Sequence, residues 1–191
     1  MLMRLSVCGA LIGLSACAYM PQKATLDPHV QYVQSNVGAG KAVSVSVIDE
    51  RSSTSLGHRG TAYGAAASIT TDQNVAAVFQ RAVFNGLLAN GFRPVDYNSS
   101  VPRQLQVQIR TIRYSTQEGF WTGGVTTKAA IQVRADSRGH NYLKFYRYAD
   151  KERVVVVPTA SHNAQLINDA MDGVLKKMFS DPSLMMTLSE K

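Results

Sequence analysis

Cysteine is scarce in this chain of 191 residues, which has only Cys8 and Cys17, both near its beginning. Residues 18–191 therefore contain no thiol, which excludes a disulfide, a thiolate metal ligand and a cysteine nucleophile from that part of the chain. The four histidines stand far apart, and none has the H-x-x-x-H or H-E-x-x-H spacing typical of a zinc site. The sequence predicts neither a cofactor nor a metal.

The short motifs that mark common enzyme classes are also missing. The stretch at residues 38–42 has no glycine at the earlier P-loop position and no Ser or Thr after Lys41. No G-x-S-x-G nucleophile elbow is present. Asp49 and Glu50 are adjacent, so on a strand they point to opposite faces and cannot act together as acid and base. We predict that the protein is not an enzyme.

Long hydrophobic runs are absent too, and the longest predicts a signal peptide. A basic start, Met1 to Arg4, precedes an apolar run from Leu5 to Leu14 that is too short for a stable membrane span. Leu14-Ser15-Ala16-Cys17 then has the pattern that a lipoprotein signal peptidase recognises, with Leu in an apolar subsite and small residues before the thiol. We predict that residues 1–16 are removed and that Cys17 carries the lipid.

Two further regions complete the predicted organisation. Residues 17–40 contain prolines and glycines but little apolar periodicity, which predicts a lipidated N-terminus and a flexible tether. Residues 41–191 are long enough for one periplasmic domain. Ala18 follows the cysteine where Asp usually retains lipoproteins in the inner membrane, so we predict the periplasmic face of the outer membrane.

Acidic residues are few, and the formal net charge of the chain is +7. Between Arg103 and Arg153 lie ten basic and four acidic residues, so the positive surplus is concentrated there. Nucleic acid would suit this charge, but the predicted export excludes it as a partner.

Alternating and helical periodicity predicts the secondary structure. Val43, Val45 and Val47 alternate with serines in a strand, and residues 92–97 predict a short edge strand. Residues 105–114 predict a strand with a bulge near Arg110, and residues 125–133 and 143–157 predict the strands that follow it. Amphipathic helices are predicted from Asp72 to Asn90 and from Thr159 or Ser161 to Phe179. We expect an α+β domain with a mostly antiparallel sheet, a meander, and both helices packed on one face.

The polar face of that meander is the predicted binding surface. Amides, cations and aromatic rings on a flat sheet suit sugars and carboxylates, although a merely solvated face would have the same composition. The residues assigned to this surface are Gln104, Gln106, Gln108, Arg110, Lys128, Gln132, Arg134, Tyr142, Lys144, Tyr146 and Tyr148. Phe120 and Trp121, in a glycine-rich turn, are added as an aromatic anchor for a partner or membrane; they could equally fold over the open end of the core.

The order of these features resembles the YajG family of bacterial lipoproteins. The resemblance covers residues 14–17, the strand at 43–47, the helix ending at Gly91, Leu105-Gln106-Val107, Thr127-Lys128-Ala129 and the helix at 168–175. It implies an anchored periplasmic domain of undefined activity and carries over no catalytic or binding residue.

Three functions follow as hypotheses. The first is a non-enzymatic module, held at the membrane by its N-terminal lipid, that binds an envelope protein or peptidoglycan. The second is a carrier of a small ligand or glycan, with a pocket between sheet and helices. The third is an envelope glycan hydrolase, which requires two carboxylates at hydrolase separation.

Overall fold

The computed structural model describes residues 20–59, 67–117, 123–154 and 158–190. Within these ranges lie eight strands: β1 Gln22–Lys23, β2 Ala42–Asp49, β3 Gly57–Arg59, β4 Ala67–Thr70, β5 Arg93–Asp96, β6 Arg103–Gln117, β7 Gly123–Ser137 and β8 His140–Val154. The helices are α1 Val75–Ala89, α2 Ala160–Phe179 and α3 Pro182–Ser189. The fold is α+β, as predicted, and α3 is a third helix in addition to the two predicted ones.

All eight strands join one mixed sheet organised around β6. β7 pairs antiparallel with β6 along its length, and β8 pairs antiparallel with β7. On the other edge of β6, β2 and β3 pair parallel with different halves of the strand. The antiparallel meander is confirmed for β6, β7 and β8, and β3 also pairs antiparallel with β4. The other pairs, β1 with β4, β2 with β5 and β6, and β3 with β6, are parallel, so the sheet is mixed and not purely an antiparallel meander.

The parallel part arises from the path of α1. This helix carries the chain back across the sheet, so β5 enters beside β2 in the same direction, as parallel pairing requires. Alternation within a strand gives no information about the direction of its neighbour. The sequence pattern therefore predicted these strands without predicting how they pair.

The core lies between the helices and one face of the sheet. Leu105, Val107 and Ile109 are fully buried there, followed on the opposite parity by Ile112 and Tyr114. The pairing of β6 with β7 shifts between Ile109 and Thr111, which confirms the predicted bulge. Because of this bulge, both halves of a 15-residue strand keep their apolar side chains towards the helices.

The helix ends follow capping rules, with one difference from the prediction. The side chain of Asn74 caps α1, whereas Asp72, the predicted cap, pairs with Lys23 at 2.6 Å. Thr159 caps α2 and Asp181 caps α3. Within the described ranges, no helix has the length and low charge needed to cross a bilayer.

The predicted flexible tether is wrong for residues 20–40. β1 pairs with β4, and Leu26 is 2% exposed. The Tyr32 hydroxyl donates to the carbonyl of Ala82 at 2.8 Å, and the amide of Gly38 donates to the carbonyl of Asn90 at 2.9 Å. Prolines and glycines give this segment the composition of a linker, but its few apolar side chains attach it to the domain. The predicted signal peptide and Cys17 lie outside the described residues.

Candidate functional site

Opposite the helices, β6, β7 and β8 present a surface that we call the outer meander face. Strand register defines it, because residues paired across neighbouring strands share a face. Gln106 pairs with Arg134, which pairs with Leu143. The next row is formed by Gln108, Gln132 and Phe145. The structure thus brings together the predicted residues Gln104, Gln106, Gln108, Arg110, Lys128, Gln132 and Arg134.

This face is strongly basic. Its cationic side chains are Arg110, Arg113, Lys128, Arg134, Arg147, Lys151 and Arg153, and its one carboxylate within β6, β7 and β8 as described is Asp136. Arg110 is paired with Glu50, which follows β2. The positive surplus seen in the sequence is therefore concentrated on one side of the sheet.

Large apolar side chains are exposed among these cations. Leu143 is 56% exposed and Phe145 45% exposed, and Ile48 on β2 lies in the row of Phe145, beyond Gln132 and Gln108. The guanidinium of Arg147 lies 5.4 Å from the centre of the Phe145 ring, a cation–π contact. Exposed apolar side chains beside amides and cations are typical of a binding surface.

The tyrosines and the lysine of β8 do not belong to this face. Tyr142 pairs with Ala135, Lys144 with Val133 and Tyr146 with Ile131, and these partners on β7 are buried against the helices. The prediction that placed Tyr142, Lys144, Tyr146 and Tyr148 on the polar face is wrong because it treated Leu143 and Phe145 as the buried side of β8. The register shows the reverse.

These inward residues of β8 converge on Asp181, at the junction of α2 and α3. The hydroxyls of Tyr142 and Tyr146 donate to Asp181 Oδ2 at 2.9 and 3.0 Å, and the Lys144 ammonium donates to the same oxygen. Asp181 Oδ1 accepts from the amide of Ser183 at 2.9 Å and so caps α3. Burial alone would raise the pKa of Asp181, but these hydrogen bonds outweigh it and lower the pKa to about 2. The cluster attaches the terminal helices to β8.

A pocket of about 250 Å³ opens where the sheet has a gap. β2 pairs with β6 up to Ile109 and β3 pairs from Tyr114, so residues 110–113 face the 51–55 loop instead of a strand. We call this the arginine pocket; its lining consists of Arg51, Ser52, Ser53, Ser55, Gly57, His58, Arg110, Thr111, Ile112 and Arg113. Arg110 was predicted as a site residue, whereas Arg51 and Arg113 were missed because neither belongs to an alternating polar run.

Ion pairs hold two of the pocket's three guanidinium groups. Nε and Nη2 of Arg51 each donate to a carboxylate oxygen of Asp49 at 2.8 Å. This hydrogen bonding lowers the pKa of Asp49. Arg51 is 6% exposed in its side chain, yet its buried Nη1 has no hydrogen-bond partner among the described residues. Buried donors of this kind need an acceptor.

Six of the other predicted site residues lie outside the ranges that the structure describes. Phe120 and Trp121 lie outside the described residues, as do Leu14, Ser15, Ala16 and Cys17. Their roles as an aromatic anchor, as the peptidase recognition sequence and as the lipidation site remain predictions. The side-chain amide of Gln104 already takes part in the fold, because its Nε2 donates to the carbonyls of Asn98 and Val101 at 2.9 and 2.5 Å. This nitrogen is therefore less available to a ligand.

Comparison with known proteins gives a family and a fold. Residues 28–189 match the family described as uncharacterized lipoprotein. No curated protein matches the chain. A solved Xanthomonas campestris protein of the DUF330 family is similar over 84% of this chain and 92% of its own, with 10% identity and a TM-score of 0.52. A minor lipoprotein of Acinetobacter baumannii is similar over 78% and 90%, with 10% identity and a TM-score of 0.42.

Proposed function

The chain belongs to the YajG-type family of uncharacterized lipoproteins, and from this premise we propose that it is a lipid-anchored, non-enzymatic binding protein of the cell envelope. Cys17 would carry the lipid, with the domain on the periplasmic face of the outer membrane. The proposed partner is peptidoglycan, which the outer meander face would contact.

One observation carries the proposal: seven cationic side chains and a single carboxylate share the outer face of β6, β7 and β8. Peptidoglycan stem peptides present carboxylates, which arginine recognises in bidentate geometry. Amides of Gln106, Gln108 and Gln132 can take sugar hydroxyls, and the exposed Phe145 ring can stack on a sugar face. Such a surface needs no catalytic group.

The carrier and hydrolase hypotheses have less support. A carrier needs space between sheet and helices, where the described side chains, among them Phe79, Tyr114 and Met171, pack in one cluster. A glycan hydrolase needs an acid with a raised pKa. Asp49 instead has a lowered pKa, and Glu50 is paired with Arg110. Burial does raise the pKa of Asp169 and of Asp172, but both lie on α2 and not on the outer meander face.

Co-sedimentation with purified peptidoglycan sacculi tests the proposal. The full chain, in non-ionic detergent, should sediment at low salt and much less at about 0.3 M salt, where charges are screened. Arg134→Gln/Arg147→Gln should lose most of this binding. Arg81→Gln/Arg93→Gln is the matched control, because it removes two exposed cations elsewhere.

Three outcomes would contradict peptidoglycan binding by the outer meander face. They are absence of sedimentation at low salt, equal loss in the control, and retention only when an envelope protein is left on the sacculi. The third would make that protein the partner. Release of soluble fragments from the sacculi would overturn the non-enzymatic assignment.

A further inference from the structure

We infer that the arginine pocket binds the phosphate group of a phospholipid headgroup beside the N-terminal anchor. The inference rests on the proposed function only for the anchor at Cys17. It does not need the peptidoglycan contact of Arg134 and Phe145, which lie in other rows of the sheet.

The backbone shapes the pocket before any side chain is considered. The amide of Glu50 donates to the carbonyl of Ile109 at 3.0 Å, and the amide of Tyr114 donates to the carbonyl of Leu56 at 2.7 Å. Between these two hydrogen bonds, residues 51–55 form a loop that does not pair with β6. Gly57 has a φ of +146°, and a Cβ there would lie 2.0 Å from the carbonyl oxygen of Tyr114. Only glycine allows this approach, so the far side of the pocket is fixed.

Charge in the pocket favours an anion. Asp49 and Glu50 offset Arg51 and Arg110, whereas Arg113 has no ion pair among the described residues. Across the strand, Arg113 pairs with Lys128, which adds a second positive charge. The buried Nη1 of Arg51 still lacks an acceptor. An oxyanion would supply that acceptor and offset the charge of Arg113.

Size and geometry favour phosphate. The volume, about 250 Å³, lies below the range of about 300–1,000 Å³ usual for drug-sized ligands. Guanidinium groups match phosphate oxygens in bidentate pairs, and a phosphate has enough oxygens for more than one arginine. The hydroxyls of Ser52 and Ser53 add neutral donors, whereas the Ser55 hydroxyl already donates to the carbonyl of Gly57 at 3.0 Å.

The position of the pocket points to a lipid. β3, which supplies His58, pairs with β4, and β4 pairs with β1 at Gln22. Two strand spacings of about 4.8 Å therefore separate Gly57 in the pocket wall from Gln22, which lies two residues after the start of the described chain. Arg59 reinforces this end, because its Nη2 donates to the carbonyl of Met20 at 2.9 Å. Cys17 precedes Met20 by three residues, which span at most about 10 Å. A lipid on Cys17 would hold this part of the domain at the headgroup layer.

Titration of the full chain with short-chain lipids in non-ionic detergent tests the inference. Calorimetry with dihexanoyl phosphatidylglycerol should show saturable binding, whereas dihexanoyl glycerol, which lacks the phosphate, should show none. Inorganic phosphate should bind more weakly than the phospholipid. Arg113→Gln should weaken phospholipid binding by at least about tenfold, the usual size of a lost charged hydrogen bond. Arg81→Gln should not change it.

Arg51→Lys is the second variant, since it keeps the charge for Asp49 but removes the guanidinium fork; it should also weaken binding. Equal affinity for dihexanoyl glycerol, or no difference between Arg113→Gln and Arg81→Gln, would overturn the inference. Binding of inorganic phosphate as tight as that of the phospholipid would overturn the lipid assignment. Sacculus binding by the same preparations is scored separately, so failure here and failure of the peptidoglycan proposal are distinguishable.

Discussion

The two faces of β8 carry similar residues and use them differently. On the inward face, Lys144 and two tyrosines donate hydrogen bonds to a single carboxylate, that of Asp181. On the outward face, the exposed side chains of Phe145 and Arg147 contact each other through a cation–π interaction. The inward groups are held by the fold, and the outward groups remain available to a partner. Residue type alone does not distinguish a structural cation from a binding one; the direction of the side chain does.

Removal of the shared carboxylate should have the largest effect. Asp181→Ala leaves the Lys144 ammonium and the buried Tyr146 hydroxyl without their acceptor and removes the cap of α3. We expect a loss of about 3 kcal/mol in the free energy of unfolding, measured in urea. Asp136→Ala, on the outer face, should cost less than about 0.5 kcal/mol. Similar losses in both variants would mean that the inward cluster is not specially stabilising.

Acid should reproduce much of that effect without a mutation. The pKa of Asp181 is about 2, below its ordinary value of 3.8, so its stabilising contribution is complete above about pH 4 and disappears as the pH falls through about 2. The shift corresponds to about 2 kcal/mol. The stability difference between the wild type and Asp181→Asn should therefore shrink over that interval. A difference that stays constant down to pH 2 would contradict the assigned pKa.

Loss of one tyrosine hydroxyl should have an intermediate effect. Tyr146→Phe removes a 3.0 Å hydrogen bond to Asp181 and the 2.5 Å contact with the Tyr142 hydroxyl, and it keeps the ring in the core. We expect the free energy of unfolding to fall by about 1 kcal/mol, because Tyr142 and Lys144 still donate hydrogen bonds to the carboxylate. Urea denaturation measures it. A loss below about 0.3 kcal/mol would show that the hydroxyl is dispensable.

The neighbouring residue on the other face should affect stability least. Phe145 is 45% exposed, so Phe145→Leu should change the free energy of unfolding by no more than about 0.5 kcal/mol. The same variant should reduce sacculus sedimentation, since Leu has no ring to stack on a sugar. A large loss of stability with unchanged sedimentation would reverse the roles assigned to the two faces.

Much of the fold was predictable where one face of an element is plainly apolar. Leu105, Val107 and Ile109 alternate with glutamines and are buried as predicted, and the parity change after Arg110 marks a real bulge. The prediction of which face of β8 is buried was wrong, because this strand has residues suited to a core on both faces. Tyrosines can be buried if their hydroxyls find partners, and here Asp181, far along the chain, provides one.

The prediction of a flexible tether was wrong for residues 20–40 for a different reason. Their buried groups, such as Leu26 and the Tyr32 hydroxyl, are too widely spaced to give a period. Each contacts an element elsewhere in the chain, and no local pattern records such a contact. Arg51 and Arg113 were missed in the same way, since they meet only where two strands leave a gap beside β6.

The sequence by itself determined the family, the α+β composition, the strand bulge, most helix ends and the concentration of positive charge between Arg103 and Arg153. These properties follow from local pattern and composition, which any stretch of chain carries with it. Only the tertiary structure decided which face of β8 turns outward, that β2 runs parallel to its neighbours, and that three arginines share one pocket. Those properties depend on register and on contacts between distant residues, and a period of two residues is the same in either register.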